Sequence, residues 1–154
     1  MSKTMERVMS LMFAVYGIIM LYLLFFQRGR GFSEINIIPF KTIGEFWLVM
    51  RQNFGSEATA SLFVSSFVNL AGNVLMFIPL GFFPPFIWKA FHRFIPDMVL
   101  CAAVIVAVEL MQYVSDLGYA DIDDLILNIF GAAMGWCIFA VLKKVLNRAK
   151  PESL

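Results

Sequence analysis

The segment Leu62–Trp88 reads LFVSSFVNLAGNVLMFIPLGFFPPFIW and contains no charged residue. A helix that crosses a bilayer needs roughly 20 mostly apolar residues, because each residue advances it by about 1.5 Å. This segment is therefore long enough to span a membrane. Its second half carries Pro79, Pro84 and Pro85, and a proline removes one backbone donor and clashes one turn back. We predict a kink near Pro79 and the end of the helix around Pro84.

Three other segments have the same apolar character. Residues 8–26 and 125–142 carry no charge, and residues 98–114 carry only Glu109. Residues 8–26 could instead be a cleaved signal peptide, but the run is too long for one and no small-residue cleavage site follows it. We therefore predict an all-α membrane protein with one domain over 1–154, a bundle of four transmembrane helices at about 8–26, 62–88, 98–114 and 125–142.

The composition agrees with a membrane protein. Hydrophobic residues make up 60% of the 154 residues and charged residues 15%, against about 45–50% and about 25% in soluble domains. This composition excludes a disordered chain, a secreted disulfide-rich domain and a nucleic-acid binder. The formal net charge is +1, so it indicates no oppositely charged macromolecular partner. Membrane lipids are the expected surroundings.

The distribution of Lys and Arg predicts both termini in the cytoplasm. Cytoplasmic loops carry an excess of these residues. The two tails and the second loop, which share a side in a four-span protein, hold Lys3, Arg7, Lys89, Arg93, Lys143, Lys144, Arg148 and Lys150. The first loop holds fewer, and the third loop, over 115–120, holds none. The first and third loops are therefore predicted to face outward.

The first loop contains a further helical pattern. Thr42 is followed three residues later by Glu45, the spacing of a capping box at a helix start. Apolar residues then recur one helical turn apart, at Ile43, Phe46, Trp47 and Met50. We predict a short interfacial helix in this extracellular loop, with Trp47 at headgroup depth. A surface loop folded over the bundle is the alternative.

The fourth predicted span contains Gly131 and Gly135. Small residues four apart let another helix approach closely. The first interpretation is packing within the bundle, and the second is a homodimer seam through the two glycines.

Polar side chains occur in three predicted spans, in the half of the membrane nearest the third loop: Asn69, Asn73, Glu109, Gln112, Asp124 and Asn128. A polar group in hydrocarbon is costly without a partner, and intramembrane charges are functional candidates. We predict one outward-facing polar pocket, with the other half apolar apart from Cys101 and Cys137. Structural roles stay open: hydrogen bonds between helices for the asparagines, and an N-cap of the fourth span for Asp121 or Asp123.

Four blocks of this sequence together resemble the VanZ family. They are Asn36-Ile-Ile-Pro39-Phe40, residues 69–81 (NLAGNVLMFIPLG), residues 109–112 (ELMQ) and residues 121–131 (DIDDLILNIFG). Their order and spacing are similar to the family pattern over roughly residues 31–135. The resemblance implies a multi-pass protein of the bacterial cytoplasmic membrane and a link to antibiotic resistance, namely reduced susceptibility to the glycopeptide teicoplanin, which carries a fatty tail. It does not supply a reaction.

The first functional hypothesis is a non-enzymatic protein of the cell envelope. Its pocket would bind an amphiphilic ligand, which is a lipid, a lipid-linked cell-wall precursor or teicoplanin itself. Amide and carboxylate side chains suit recognition by hydrogen bonds. The candidate ligand-binding residues are Asn36, Asn69, Asn73, Glu109, Gln112, Asp121, Asp123, Asp124 and Asn128.

The alternative is an intramembrane enzyme that acts on a lipid-linked phosphate or sugar substrate. Glu109 is then the candidate catalytic acid or base. Asp121, Asp123 and Asp124 are candidate ligands for Mg²⁺ or Mn²⁺, which prefer oxygen, and no other cofactor is expected. A purely structural partner of another envelope protein is a third possibility.

Overall fold

The computed structural model describes residues 3–26, 35–51, 57–115 and 120–148. The described helices are α1 (Lys3–Phe26), α2 (Lys41–Arg51), α3 (Glu57–Ile87), α4 (Phe94–Val114) and α5 (Ile122–Arg148), and a 3-10 helix over Lys89–His92 joins α3 to α4. Four of them, α1, α3, α4 and α5, are long and apolar enough to cross a membrane. The predicted all-α bundle of four spans with a short first-loop helix is confirmed, and the protein is a multi-pass membrane protein.

Each of the four spans differs from its predicted bounds at one end or at both, and two of these ends involve proline. α3 continues through Pro84 and Pro85 to Ile87, so the prediction that it ends around Pro84 is wrong. Both prolines are buried, and the Trp88 amide still donates to the Pro84 carbonyl at 2.8 Å. Neighbouring helices therefore support the proline-containing turn, as they commonly do in membrane bundles.

α4 begins earlier than predicted, at Phe94 rather than near Met98. Pro96 lies in the first helical turn, where proline is tolerated because the amides there have no intrahelical partner. The earlier start brings Asp97 into the helix.

α3 and α5 pack with their backbones almost in contact. A Cβ atom on Gly135 would lie 1.9 Å from the carbonyl oxygen of Ile78, and one on Gly131 would lie 2.1 Å from that of Val74. Only glycine allows so close an approach. α3 therefore occupies the face that carries both glycines, which favours packing within the bundle over a homodimer seam at this place.

Two polar side chains attach α1 to the other spans. The Tyr16 hydroxyl donates to the Met76 carbonyl at 2.9 Å, and the Gln112 amide Nε2 donates to the Leu24 carbonyl at 3.1 Å. Each bond satisfies a group that would otherwise be unpaired in hydrocarbon. The outer side of α1 is apolar and exposed, as Leu11 and Ile18 illustrate, which suits contact with acyl chains.

Candidate functional site

The first loop is joined to the segment before α5 by a short parallel pairing. Strand β1 (Ile35–Asn36) pairs with β2 (Ala120–Asp121), with Asn36 opposite Asp121. The Asn36 Nδ2 donates to Asp121 Oδ1 at 3.0 Å, and the Thr42 hydroxyl donates to Asp121 Oδ2 at 2.7 Å. Asp121 also accepts the Asp123 amide at 2.9 Å. Asp121 is therefore the N-cap of α5, as one of the sequence alternatives predicts. It also binds the first loop through Asn36 and Thr42.

Asp123 caps a different helix from its own. Its carboxylate accepts the backbone amides of Phe40, Thr42 and Ile43, at 2.5, 2.7 and 3.3 Å. These are amides at the start of α2, which lack intrahelical partners and carry the positive end of the helix dipole. The predicted capping box of Thr42 and Glu45 is wrong, because α2 begins at Lys41 and the acid comes from α5.

Phe40 is held in a backbone conformation that favours glycine. Its φ angle is +64°, in the left-handed region that costs an ordinary residue roughly 1–2 kcal/mol. The short hydrogen bond from the Phe40 amide to Asp123 fixes this turn. The chain thus turns sharply into α2, directly above the start of α5.

Two hydrogen-bonded pairs, one buried and one partly buried, continue from this point into the bundle. The Asn73 amide on α3 donates to Asp124 on α5. One turn further along α5, the Asn128 Nδ2 donates to Glu109 Oε1 on α4 at 3.2 Å. The sequence prediction that three spans bring their polar residues together therefore holds for these four side chains. Asn128 fixes the position of Glu109, the one acid in the predicted α4 span.

A cleft opens between α4, the start of α5 and the first loop. Its volume is about 330 Å³, and its lining residues are Asn36, Ile37, Val106, Glu109, Leu110, Tyr113, Asp121, Ile122 and Leu125. Most of this wall is apolar, and the polar groups are few. Ile37 and Leu110 are among the exposed apolar residues of the protein, so the mouth of the cleft lies on the side surface of the bundle. The cleft can accept an amphiphile, with its polar part beside Glu109 and Asp121.

A family model described as VanZ/LLP1 matches residues 13–143. The chain belongs to the VanZ family. The matched range includes every residue of the cleft and of the Asn73–Asp124 and Asn128–Glu109 pairs. No curated protein and no solved structure matches the chain.

Of the nine candidate ligand-binding residues of this VanZ-family chain, Asn36, Glu109 and Asp121 line the cleft. Asn73, Asp123, Asp124 and Asn128 take part in the hydrogen bonds described above. The other two lie elsewhere. Asn69 is exposed, whereas Asn73, one turn further along α3, is buried beside Asp124. Gln112 is buried and bonds to the Leu24 carbonyl, so it faces α1 rather than the cleft. One turn of α4 separates it from Glu109, which is enough to direct the two side chains to different neighbours.

The three candidate metal ligands have other partners. Asp121 and Asp123 accept hydrogen bonds from the first loop, and Asp124 accepts one from Asn73. Among the residues with described positions, no group of three or more His, Cys, Asp or Glu is arranged to hold a metal ion. The carboxylates of this VanZ-family site therefore serve as hydrogen-bond acceptors that join the first loop and α3 to α5.

One buried acid contradicts the prediction of an apolar second half. Asp97 is 0% exposed, and the Cys101 thiol lies 3.8 Å from its Oδ2. Its Oδ1 has no hydrogen-bond partner in the described part of the chain. The sequence interpretation missed it because it placed the start of the span at Met98. Pro96 could have indicated the earlier helix start, because proline is typical of a first helical turn.

Proposed function

We propose that this VanZ-family protein is a non-enzymatic component of the bacterial cell envelope that binds an amphiphile in the lateral cleft. It would lie in the cytoplasmic membrane with both termini inside, so that the cleft opens in the outer half of the bilayer. The observation that carries the proposal is the placement of Glu109. Glu109 lines a largely apolar cleft, and its Oε1 accepts a hydrogen bond from Asn128 Nδ2.

The lateral mouth supports an amphiphilic ligand rather than a water-soluble one. A ligand with a fatty tail can enter from the lipid, with its tail along Val106 and Leu110 and its polar part beside Asn36 and Glu109. Two carboxylates and an amide favour a polar part rich in hydroxyl, amide or amino donors. Among the described lining residues there is no basic side chain to hold a phosphate.

Binding is favoured over catalysis because most acids of the site have structural partners. Asp121 and Asp123 hold the first loop, and Glu109 is the cleft-lining acid that lies outside this loop contact. An intramembrane enzyme that uses Mg²⁺ or Mn²⁺ would have to break these hydrogen bonds before it could bind the metal. The family association with teicoplanin supplies one ligand of the right chemistry, a glycopeptide with a fatty tail, and lowered teicoplanin susceptibility would follow from its capture.

The substitution Glu109→Gln tests this proposal. It keeps the side-chain size but removes the negative charge, so we expect about tenfold weaker binding of a donor-rich ligand, the loss of one charge-assisted hydrogen bond. The measurement is the shift in thermal unfolding of the purified protein in detergent, with teicoplanin and with bacterial total polar lipids as separate probes.

Glu57→Gln is the matched control, because Glu57 is exposed at the start of α3 and is not part of the cleft. It should keep the full shift. The proposal fails if neither probe shifts the unfolding of the original protein, or if Glu109→Gln and Glu57→Gln respond alike. Mass spectrometry of lipids that co-purify with the original protein, but not with Glu109→Gln, would identify a native ligand.

A further inference from the structure

We propose a second binding site, at the opposite end of the bundle, for the phosphate headgroup of an anionic phospholipid. It consists of Lys89, His92, Arg93, Lys143 and Lys144, here called the basic surface. These residues come from the 3-10 helix, the start of α4 and the last turns of α5. The inference does not depend on the function proposed for the cleft.

The centre of the basic surface is an ordered contact between two elements. Lys143 Nζ lies 3.1 Å from His92 Nδ1. The His92 ring stacks on Phe139 with centroids 5.6 Å apart, and Lys143 Nζ lies 5.5 Å from the centroid of the same ring. Phe139 is buried, so it gives both groups a fixed base. The two side chains are therefore positioned by packing and not merely spread over a surface.

The local charge is strongly positive. Burial lowers the pKa of His92 from its ordinary value of 6.5, and the charges of Lys143 and Lys89 lower it further, against a backbone hydrogen bond at Pro85 that raises it. No carboxylate in the described part of the chain contributes to this shift. Arg93 and Lys144, which follow His92 and Lys143 in the sequence, add two exposed charges. A phosphate would relieve the repulsion among these cations.

The apolar surroundings place this site at the boundary of the membrane. Trp88 is 47% exposed and Ile95 is 68% exposed, and they flank the basic residues in the sequence. Tryptophan is typical of headgroup depth, and basic groups there attract anionic lipids. The phosphate of a phospholipid lies at this depth with its acyl chains beside Ile95, whereas a soluble anion would gain nothing from the apolar side chains.

The test measures binding of phosphatidylglycerol to the full purified chain in phosphatidylcholine nanodiscs, by thermal unfolding against the phosphatidylglycerol fraction. Loss of one basic charge at a membrane surface is expected to weaken binding about fivefold. Lys143→Gln and Arg93→Gln should each show this loss, and a rise in salt should weaken binding of the original protein. Arg93 is exposed, so its variant keeps the test valid if Lys143→Gln folds poorly.

Lys41→Gln is the matched control, because Lys41 is an exposed lysine at the other end of the bundle. It should bind phosphatidylglycerol as the original protein does. Equal effects of Lys41→Gln and Lys143→Gln would overturn the proposal, and so would equal stabilisation in pure phosphatidylcholine. Inorganic phosphate should give no shift. A shift as large as that with phosphatidylglycerol would contradict a lipid site and indicate a free-anion site.

Acid should strengthen this interaction. Burial and the charges of Lys143 and Lys89 lower the pKa of His92, so acid is needed to protonate the ring, and protonation adds a charge beside the bound phosphate. Phosphatidylglycerol binding should therefore tighten in the original protein as the pH is lowered into the acidic range. His92→Gln should remove that pH dependence. A pH dependence that is unchanged in His92→Gln would exclude His92 from the site.

Discussion

Replacement of Gly135 by alanine is expected to lower the free energy of unfolding by about 3 kcal/mol, the upper part of the range for overpacked cores. The new Cβ would lie 1.9 Å from the carbonyl oxygen of Ile78 and 3.0 Å from the backbone nitrogen of Phe82. Both contacts are with backbone, which cannot rotate away as a side chain can. α3 and α5 would have to separate along the contact that also holds Asn73 beside Asp124.

Gly72→Ala is the matched control for this prediction. Gly72 lies on α3, and no atom comes within 4 Å of a Cβ built there. Alanine has a better helix propensity than glycine by about 1 kcal/mol, so Gly72→Ala should be as stable as the original protein or slightly more so. Thermal unfolding in detergent compares the two variants. Equal stability of Gly135→Ala and Gly72→Ala would show that the backbones do not approach as closely as described.

The architecture was accessible from the sequence because bilayer thickness sets the length of each span. Apolar runs of sufficient length that carry at most one charge therefore identify the four long helices. Their ends were less accessible, since they depend on local packing. Pro84 and Pro85 do not stop α3 because neighbours bury both rings, and Pro96 does not delay α4 because it lies in the first turn. The misplaced start of α4 concealed the buried Asp97.

The contacts of the site were predictable where the polar residues lie on one face of a single helix. Asp124 and Asn128 lie one turn apart on α5, and each meets a partner from another span. Hydropathy alone does not show which turns of a helix its neighbours cover, so Asn69 was grouped with Asn73 although Asn69 is exposed and Asn73 is buried. Hydropathy also could not show that Gln112 and Glu109 have different partners, because the partner of Gln112 depends on the position of α1.

The role of Asp123 was the least accessible of all, because its partners are backbone amides distant in the sequence. Local patterns search for a cap within a few residues of the helix start. Here the acid that caps α2 is 83 residues away from Phe40 along the chain. The pairing of β1 with β2 brings the two segments together.

Asp123→Asn is therefore expected to be nearly as damaging as Asp123→Ala, although asparagine is almost the same shape. Asp123 is 0% exposed, and both carboxylate oxygens accept backbone amides of α2. An asparagine must place its own NH₂ group against at least one of those donors. We expect each variant to lose about 3–5 kcal/mol of the free energy that docks α2, as when one partner of a buried charged pair is removed.

The release of α2 can be measured by limited trypsin digestion, because Lys41 and Arg51 mark its two ends. Both variants should be cut there much faster than the original protein, while the four long helices remain intact. Glu45→Gln, an exposed acid on α2 itself, is the control and should be cut at the original rate. If Asp123→Asn resists trypsin as Glu45→Gln does, the carboxylate does not hold α2. Faster cutting in both Asp123 variants, but not in Glu45→Gln, would mean that the carboxylate of Asp123, and not merely its shape, holds the first loop beside the cleft.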